Sequence, residues 1–456
     1  MLTILLGLIG LGLVVLVHEL GHFVLARAMH VEVEAFSIGW GPRIVGFKRG
    51  GTEWKISAFP IGGYCKMKGE DSFRKALETK SESLPREDGS FYGAAPWRRI
   101  LISLAGPVSN VIFAALVFIV IAAVGYTVHV SPNRIALASE YKLDSATAGQ
   151  RFPADAAGLK TGDVIIEANG RPIHDYSAIQ EVIALSAGKP VSLVVERAGR
   201  RVDLTVTPVM DKDTGAGRIG VFSWIDPVVS KVIPGSPAAI AGIQPGDVIV
   251  SINGKPVRHV VEALALLASH PERAVFGIKR NDAIFQTTLV LNWKETGQST
   301  LGGMNFALPL KTIRASSIGG AIVKGLGETW KTFDLSIQGL GMLFRGVNVL
   351  KAVSGPARIV DLVGKSATEG LEKSGSGGLA LPFNILAFLS IGLFIMNLLP
   401  IPALDGGQIV MFVVESFRRR PLRPTTIYRY QFVGAAFILA IFVFATVGDV
   451  LFFAAR

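Results

Sequence analysis

The chain has 456 residues, half of them hydrophobic, and a formal net charge of +11 at neutral pH. A mean hydropathy of +0.46 is too high for an ordinary soluble protein, and the length suggests roughly two to four domains. The basic residues gather in loops beside apolar runs, which argues against a nucleic-acid-binding protein. Cys65 is the only cysteine, so no disulfide can form within the chain.

Four apolar stretches are long enough to span a membrane. They cover residues 2–29, about 100–128, about 379–417 and about 432–453. The first does not resemble a signal peptide, because no basic residue precedes it and no small-residue cleavage site follows it. The sequence therefore predicts an α-helical membrane protein with about four transmembrane helices.

The first span contains the run His18-Glu19-Leu20-Gly21-His22. On a helix the two imidazoles would lie about 40° apart around the axis, with Glu19 within about 100° of both. Two neutral imidazoles beside a carboxylate can hold a zinc ion and act on its water. A helix that merely ends at the headgroup level is the alternative. Because unpaired ionisable groups inside a span cost several kcal/mol, we expect a catalytic site.

Lysine and arginine residues predict the orientation of the spans. They are frequent between the first two spans, in residues 30–99, and again after the third span, in the basic loop that opens residues 418–456. Loops rich in Lys and Arg stay on the cytoplasmic side, so both termini are expected outside. The segment from about residue 129 to about 374 must then lie outside the membrane as well.

Two short extended stretches follow the first span, at residues 31–36 and 53–59, with glycines and prolines that suit tight turns. Extended backbone near a membrane must be paired or line a cavity. We therefore predict a β-hairpin or small sheet beside the active site, either dipping into the inner leaflet or lying in the cytoplasm. The charged residues 70–90 are expected to form a flexible loop.

The outer segment contains an internal repeat. Three motifs recur 84 residues downstream, namely Ala157-Gly158-Leu159, Gly162-Asp163-Val164-Ile165 and Asn169-Gly170-Arg171-Pro172. In each copy, strands and an Asn-Gly turn lead into an apolar-periodic helix, at residues 177–186 and 260–269. The period fits one small domain, so we predict two β-rich domains, at residues 129–222 and 223–310.

Residues 311–378 are expected to hold an amphipathic helix and a linker. Apolar side chains recur every three or four residues over 318–346, which favours a helix on the membrane surface or under the repeat. Residues 374–378, Ser-Gly-Ser-Gly-Gly, are typical of a hinge. In the second span, Gly106 and Asn110 suit close helix packing or a hydrogen bond between helices.

The third span carries a candidate third ligand. Its run Asn397-Leu-Leu-Pro400-Ile-Pro402-Ala-Leu-Asp405-Gly406-Gly407 predicts a broken helix with a carboxylate at the break. Catalytic zinc sites have three protein ligands and a water, and Asp405 lies at a depth similar to that of His18. Alternatively, Asp405 only caps the helix that resumes at Gln408. We predict one zinc ion held by His18, His22 and Asp405.

These motifs together resemble the site-2 protease family of zinc intramembrane metalloproteases, and within it the bacterial regulator-of-sigma-E protease type with tandem PDZ domains. The resemblance covers essentially the whole chain. It implies zinc ligation by the three residues named above and makes Glu19 the catalytic acid/base. It places Asn397 and Pro400 on the substrate side of the site. It also places two pairs of glycines near the site, Gly39 with Gly41 and Gly62 with Gly63.

The same resemblance implies a protease of the bacterial inner membrane, with its active site towards the cytoplasm and its PDZ domains in the periplasm. Implied substrates are single-span membrane proteins already trimmed outside, such as anti-sigma factors, or leftover signal peptides. Peptide termini or extended segments could bind the PDZ grooves, and no nucleic acid is expected.

Two other classes of protein remain open from the sequence. A membrane-tethered PDZ scaffold with a structural zinc would not need Glu19. A metal transporter would carry its repeat within the spans, whereas the repeat here lies outside them.

Overall fold

The computed structural model describes residues 1–84, 87–141, 151–212, 214–291, 301–342, 354–372 and 376–454. The chain forms two compact units. Unit 1 contains Met1–Tyr126 and the described residues from Thr312 onward, and unit 2 contains those of Thr127–Lys311.

Twelve α-helices occur among the described residues, together with two short 3₁₀ helices, Ala138–Glu140 and Leu301–Gly303. In chain order they are α1 (Leu2–Ala28), α2 (Glu70–Glu78), α3 (Pro96–Val124), α4 (Pro153–Ala156), α5 (Tyr176–Leu185), α6 (Pro237–Ile240), α7 (Val260–Leu266), α8 (Ile318–Met342), α9 (Pro356–Glu372), α10 (Ser376–Leu398), α11 (Asp405–Arg418) and α12 (Pro424–Ala454).

The described part of the chain also contains eighteen β-strands. They are β1 (Val33–Arg49), β2 (Thr52–Met67), β3 (Tyr126–His129), β4 (Ile135–Leu137), β5 (Val164–Ala168), β6 (Arg171–Pro172), β7 (Val191–Arg197), β8 (Arg200–Val206), β9 (Val209–Met210), β10 (Gly217–Arg218), β11 (Val221–Ser223), β12 (Val229–Val232), β13 (Val248–Ile252), β14 (Lys255–Pro256), β15 (Arg273–Arg280), β16 (Ala283–Val290), β17 (Met304–Phe306) and β18 (Leu310–Ile313).

Four helices of unit 1 are long and apolar enough to cross a membrane, which confirms the predicted number of spans among the described residues. They are α1, α3, α12 and the part of α10 from Gly378 to Leu398, of 27, 29, 31 and 21 residues. A span needs about 20. The second span ends earlier than predicted, at Val124, because Gly125 takes φ +78 and turns the chain into β3.

The predicted β-hairpin is present in unit 1, but its strands are longer than expected and curl back on themselves. Residues 33–38 pair on one side with residues 63–67 and on the other with residues 53–56, which pair in turn with residues 45–48. The strands bend where Gly39 takes φ +84, and a Cβ there would lie 2.4 Å from the Phe59 carbonyl oxygen. The result is one small sheet with residues 63–67 at one edge.

The expectation of a flexible loop over residues 70–90 is wrong for its first part, which forms α2. The charged composition suggested a loop, but Phe73 and Ala76 lie three residues apart and share one face of the helix. Ala76 is buried, and the Phe73 ring stacks on Tyr92 with centroids 5.1 Å apart. Tertiary packing therefore stabilises a helix that its composition does not favour.

Residues 356–372, expected within a linker, form α9 and pack against α1. Glycines allow this contact, since a Cβ at Gly7 would lie 2.1 Å from the Val360 carbonyl oxygen. The first turn of α9 is bound by the buried carboxylate of Asp449 on α12, which accepts hydrogen bonds from the backbone of Ala357 and from Nε of Arg358. The predicted amphipathic helix is α8. Residues 343–346 lie outside the described residues, as do residues 374 and 375 of the predicted hinge, whereas its residues 376–378 belong to the first turn of α10.

Unit 2 repeats the same elements 84 residues apart. One four-stranded sheet has the strand order β6-β5-β7-β8, and the other has the order β14-β13-β15-β16. Each copy has its own core, with Ile165 in one and Ile249 at the equivalent position in the other, both fully buried. A buried aspartate pairs with an arginine in each, with 2.7 Å between Asp163 and Arg197 and 2.7 Å between Asp247 and Arg280. The two copies are therefore separately packed β-rich modules.

Candidate active site

The two histidines of the first span lie one turn apart on the same face of α1. Both side chains are buried, with exposed fractions of 7% for His18 and 8% for His22. Their Nε2 atoms lie 3.2 Å apart, and the two ring planes are nearly perpendicular at 84°. Both Nε2 atoms therefore point to one place beside the helix.

Asp405 reaches that place from the other end of the chain. Its carboxylate oxygens lie 3.1 Å from Nε2 of His18 and 3.5 Å from Nε2 of His22. One ligand atom from each of the three residues lies within 4.8 Å of the other two. Among the described residues, this is the one group of His, Cys, Asp and Glu side chains close enough to share a metal ion.

The break between α10 and α11 orients the Asp405 carboxylate. Pro400 and Pro402 interrupt the helical hydrogen bonds, and Ala403 takes φ +73, in the left-handed region. Helix α11 then begins with Leu404 as its N-cap, without a side-chain hydrogen bond across the cap. Asp405 therefore does not cap the helix, which was the alternative role for it. Its carboxylate faces the imidazoles instead.

Two glycines allow this turn to close tightly. A Cβ at Gly406 would lie 2.3 Å from the carbonyl oxygen of Leu398, and a Cβ at Gly407 would lie 2.2 Å from that of Ile401. Contacts this short exclude any side chain at either position. The position of Asp405 relative to α1 thus depends on two close backbone approaches that only glycine permits.

The three residues suit a zinc ion. Two imidazole nitrogens and one carboxylate oxygen leave a fourth position for water, as in catalytic zinc sites. Nδ1 of His22 donates to the Ile102 carbonyl oxygen at 2.8 Å, which leaves the Nε2 lone pair for a metal. Oδ2 of Asp405 is buried and accepts no well-directed hydrogen bond from the described residues. A cation would satisfy that buried oxygen.

Glu19 lies beside the three converging side chains. Its carboxylate accepts a hydrogen bond from the backbone N–H of Cys65, on the edge segment 63–67 of the sheet. A Cβ at Gly63 would lie 3.5 Å from Cγ of Glu19. The carboxylate is thus held between α1 and β2, where a general base can reach a water on a shared ion.

A cavity of about 620 Å³ opens onto these residues. Its lining includes His18, His22, Glu19, Asp405, Asn397 and Gly63. The side-chain nitrogen of Asn397 lies 3.4 Å from Nε2 of His18. Two residues expected on the substrate side, Asn397 and Gly63, therefore face the site directly.

The other residues expected near substrate are not part of the cavity lining. Gly62 packs against Trp40, which does line the cavity, since a Cβ at Gly62 would lie 2.7 Å from the indole nitrogen. Gly39 and Gly41 form the bend of β1 against Phe59. Pro400 lies in the turn between α10 and α11.

Sequence reasoning missed several polar residues of the lining. Glu70, Tyr92 and Gln431 come from three separate stretches of the chain, and no regular spacing connects them. Burial raises the pKa of Tyr92 to about 12. Burial and the nearby Glu19 charge also raise the pKa of Cys65 to about 12.

Helices α1 and α3 cross at two glycines. A Cβ at Gly21 would lie 2.3 Å from the Ala105 carbonyl oxygen. A Cβ at Gly106 would lie 2.3 Å from Nε2 of His22 and 2.9 Å from Cε1 of His18. Gly106, for which the sequence left close helix packing and a role in the site both open, therefore packs directly against the two imidazoles.

The chain matches the protein family described as Peptidase family M50 over residues 6–441. It is 39% identical over 453 residues to a putative zinc metalloprotease of Treponema pallidum, with 99% of both chains covered. It is 31% identical over 446 residues to a putative zinc metalloprotease of Borreliella burgdorferi, with 96% of both covered. The regulator of sigma-E protease RseP of Escherichia coli is 29% identical over 441 residues, with 91% of both covered.

Gly106→Ala is expected to weaken zinc binding by about 10- to 100-fold, the range for changes around metal ligands, and so to lower the zinc retained by the purified protein. The added methyl group would occupy the space of the imidazoles, because a Cβ there lies 2.3 Å from Nε2 of His22. Zinc per chain is measured by atomic emission. Gly392→Ala on α10 is the matched control, since no atom lies within 4 Å of its Cβ. Full zinc in Gly106→Ala would contradict the placement of α3.

Proposed function

The chain belongs to peptidase family M50 and is a zinc metalloprotease of the inner membrane, and from that premise we propose that it hydrolyses peptide bonds within or beside the transmembrane segments of single-span membrane proteins. The convergence of His18, His22 and Asp405 in a cavity among apolar helices carries this proposal. A protease site at this position can be reached by a substrate that lies in the same bilayer.

We assign zinc ligation to His18, His22 and Asp405, and the role of acid and base to Glu19. A zinc ion held there would lower the pKa of a bound water and polarise a carbonyl group. The Glu19 carboxylate accepts the proton of the attacking water and later passes it to the departing amine nitrogen. Its bond from the Cys65 backbone N–H holds the carboxylate in place for both transfers.

Asn397 is proposed to hold the substrate backbone during this reaction. Its amide nitrogen lies 3.4 Å from Nε2 of His18, so it can donate a hydrogen bond to a carbonyl oxygen placed at the metal. A preorganised donor at that point stabilises the negative charge that develops on the oxygen.

The edge of the sheet offers a place for an unwound substrate. A helix shields its own carbonyl groups, and unwinding it in lipid exposes backbone that must find new partners. Among the described residues, 63–67 pair with 33–38 and with no second strand, and Gly63, Tyr64 and Cys65 line the cavity. Addition of the substrate as a further strand at this edge would pair its backbone and bring it past Glu19.

The two modules of unit 2 are proposed to be PDZ domains on the periplasmic side. Their Asn-Gly turns, helices α5 and α7 and four-stranded sheets recur with one period, as expected of a tandem. Extended peptides could bind their free sheet edges, and the pair would exclude substrates that still carry a folded outer domain. Trimmed anti-sigma-factor-like proteins and remnant signal peptides would be admitted, because they carry no folded outer domain.

Glu19→Gln is expected to keep one zinc per chain and to lose peptide-bond cleavage by about 10²- to 10⁴-fold, the range for a lost general base. Cleavage of a model single-span substrate and zinc content are measured on the same purified samples. Asp405→Ala, the comparison variant, is expected to lose zinc as well as activity. Unchanged cleavage in Glu19→Gln would refute the role of Glu19, whereas a zinc-containing wild-type protein without any cleavage would favour a PDZ scaffold with a structural zinc.

A photo-crosslinking aromatic residue in place of Tyr64 is expected to capture substrate in the Glu19→Gln background. Tyr64 lies on the edge segment and lines the cavity. The same residue in place of Phe47, an exposed aromatic on the opposite edge of the sheet, is the matched control. Strand addition predicts crosslinked substrate at position 64 and none at position 47, read on gels. Equal crosslinking at both positions would refute it.

A further inference from the structure

His18 and His22 differ in what their second ring nitrogen contacts. Nδ1 of His22 faces a backbone carbonyl oxygen, that of Ile102, at 2.8 Å. Nδ1 of His18 faces the side-chain amide of Asn110 on α3, with Nδ2 at 3.2 Å. Asn110 is fully buried, with an exposed fraction of 0%. One ligand therefore has a partner that can only accept a hydrogen bond, whereas the other has a partner that can donate or accept.

One arrangement of the hydrogen bonds satisfies both neutral imidazoles and the Asn110 amide, with the Asn397 amide nitrogen, 3.4 Å from Nε2 of His18, not bonded to the ring. His22 carries its proton on Nδ1, because the Ile102 oxygen can only accept. Its Nε2 then accepts from Nε2 of His18, 3.2 Å away. His18 thus has a bare Nδ1, which accepts from the Asn110 amide nitrogen.

Ligation of a metal through Nε2 of His18 requires the other tautomer of this ring. The Nε2 lone pair must be free, so the proton moves to Nδ1, and a buried Nδ1–H needs an acceptor. The carbonyl oxygen of Asn110 is buried and has no hydrogen-bond partner among the described residues. A half-turn of the amide group presents that oxygen to Nδ1 without moving the rest of the side chain.

We propose that Asn110 is a positioning residue for His18, and that its amide group turns to match the tautomer that zinc ligation requires. The inference rests on the proposed zinc site. An amide is suited to the task because its donor and acceptor ends are nearly equal in shape. Leucine has the same size but neither group, and aspartate has only acceptors. His22 needs no such partner, since its tautomer is already the ligating one.

The test is the zinc dissociation constant of the purified full-length protein, measured by competition with a fluorescent chelator at fixed pH. Asn110→Leu is expected to raise the constant by about 10- to 100-fold, the range for lost partners of metal ligands. Asn110→Asp is expected to keep the wild-type constant or to bind zinc more tightly. Ser390→Ala is the matched control, because Ser390 on α10 is also fully buried without a partner among the described residues.

Wild-type affinity in Asn110→Leu would overturn the proposal. Equal weakening in Asn110→Leu and Asn110→Asp would also overturn it, because packing alone would then explain the effect. A wild-type protein that binds no zinc would instead refute the proposed function on which the inference rests. Failure of the zinc site and failure of the Asn110 role are therefore distinguishable.

A second measurement applies if Asn110→Leu does not fold. In wild-type protein with ¹⁵N-labelled histidine, addition of zinc should move the proton of one imidazole from Nε2 to Nδ1. A second imidazole should keep its proton on Nδ1 throughout. The chain has 7 histidines. The His18 signal is assigned as the one missing from the zinc-free spectrum of His18→Gln, because that variant also loses a zinc ligand and its response to zinc cannot be used. Absence of any tautomer change on zinc binding would overturn the proposal.

Discussion

A polar or ionisable side chain inside an apolar helix bundle must find a partner, and for the two histidines of α1 this requirement is met at one point. His18, His22 and Asp405 are buried among membrane-spanning helices, and their ligand atoms lie within 4.8 Å of one another. Left alone, each of these groups would cost several kcal/mol in such surroundings. A cation shared by the three ligand atoms would offset this cost. The glycine crossing of α1 with α3 and the break between α10 and α11 both serve to bring them together.

The same requirement applies to the substrate. A peptide bond inside a membrane helix is shielded from water, and an unwound segment needs hydrogen-bond partners. The sheet of β1 and β2 lies against α1 beside Glu19, with its edge segment in the cavity lining. Catalytic carboxylate and strand edge are joined by one hydrogen bond, from the Cys65 backbone. Chemistry and substrate pairing therefore depend on the same few residues of the fold.

Much of this site could be predicted from the sequence because local rules determine it. Helical spacing placed His18 and His22 on one face, and Pro400 and Pro402 marked the break before Asp405. The four spans and the 84-residue repeat followed from hydropathy and from recurring motifs. Helices α2 and α9 could not be predicted in this way, because packing rather than composition stabilises them. The presence of Glu70, Tyr92 and Gln431 in the cavity lining could not be predicted either, since only the folded chain brings these three segments together.

X-ray absorption at the zinc edge of the purified full-length protein tests the convergence of the three ligands most directly. Two imidazoles and a carboxylate predict a first shell of nitrogen and oxygen only, at about 2.0–2.2 Å, with outer-shell scattering from two histidine rings. A sulfur neighbour at about 2.3 Å, as Cys65 would give, or scattering from a single imidazole would contradict it.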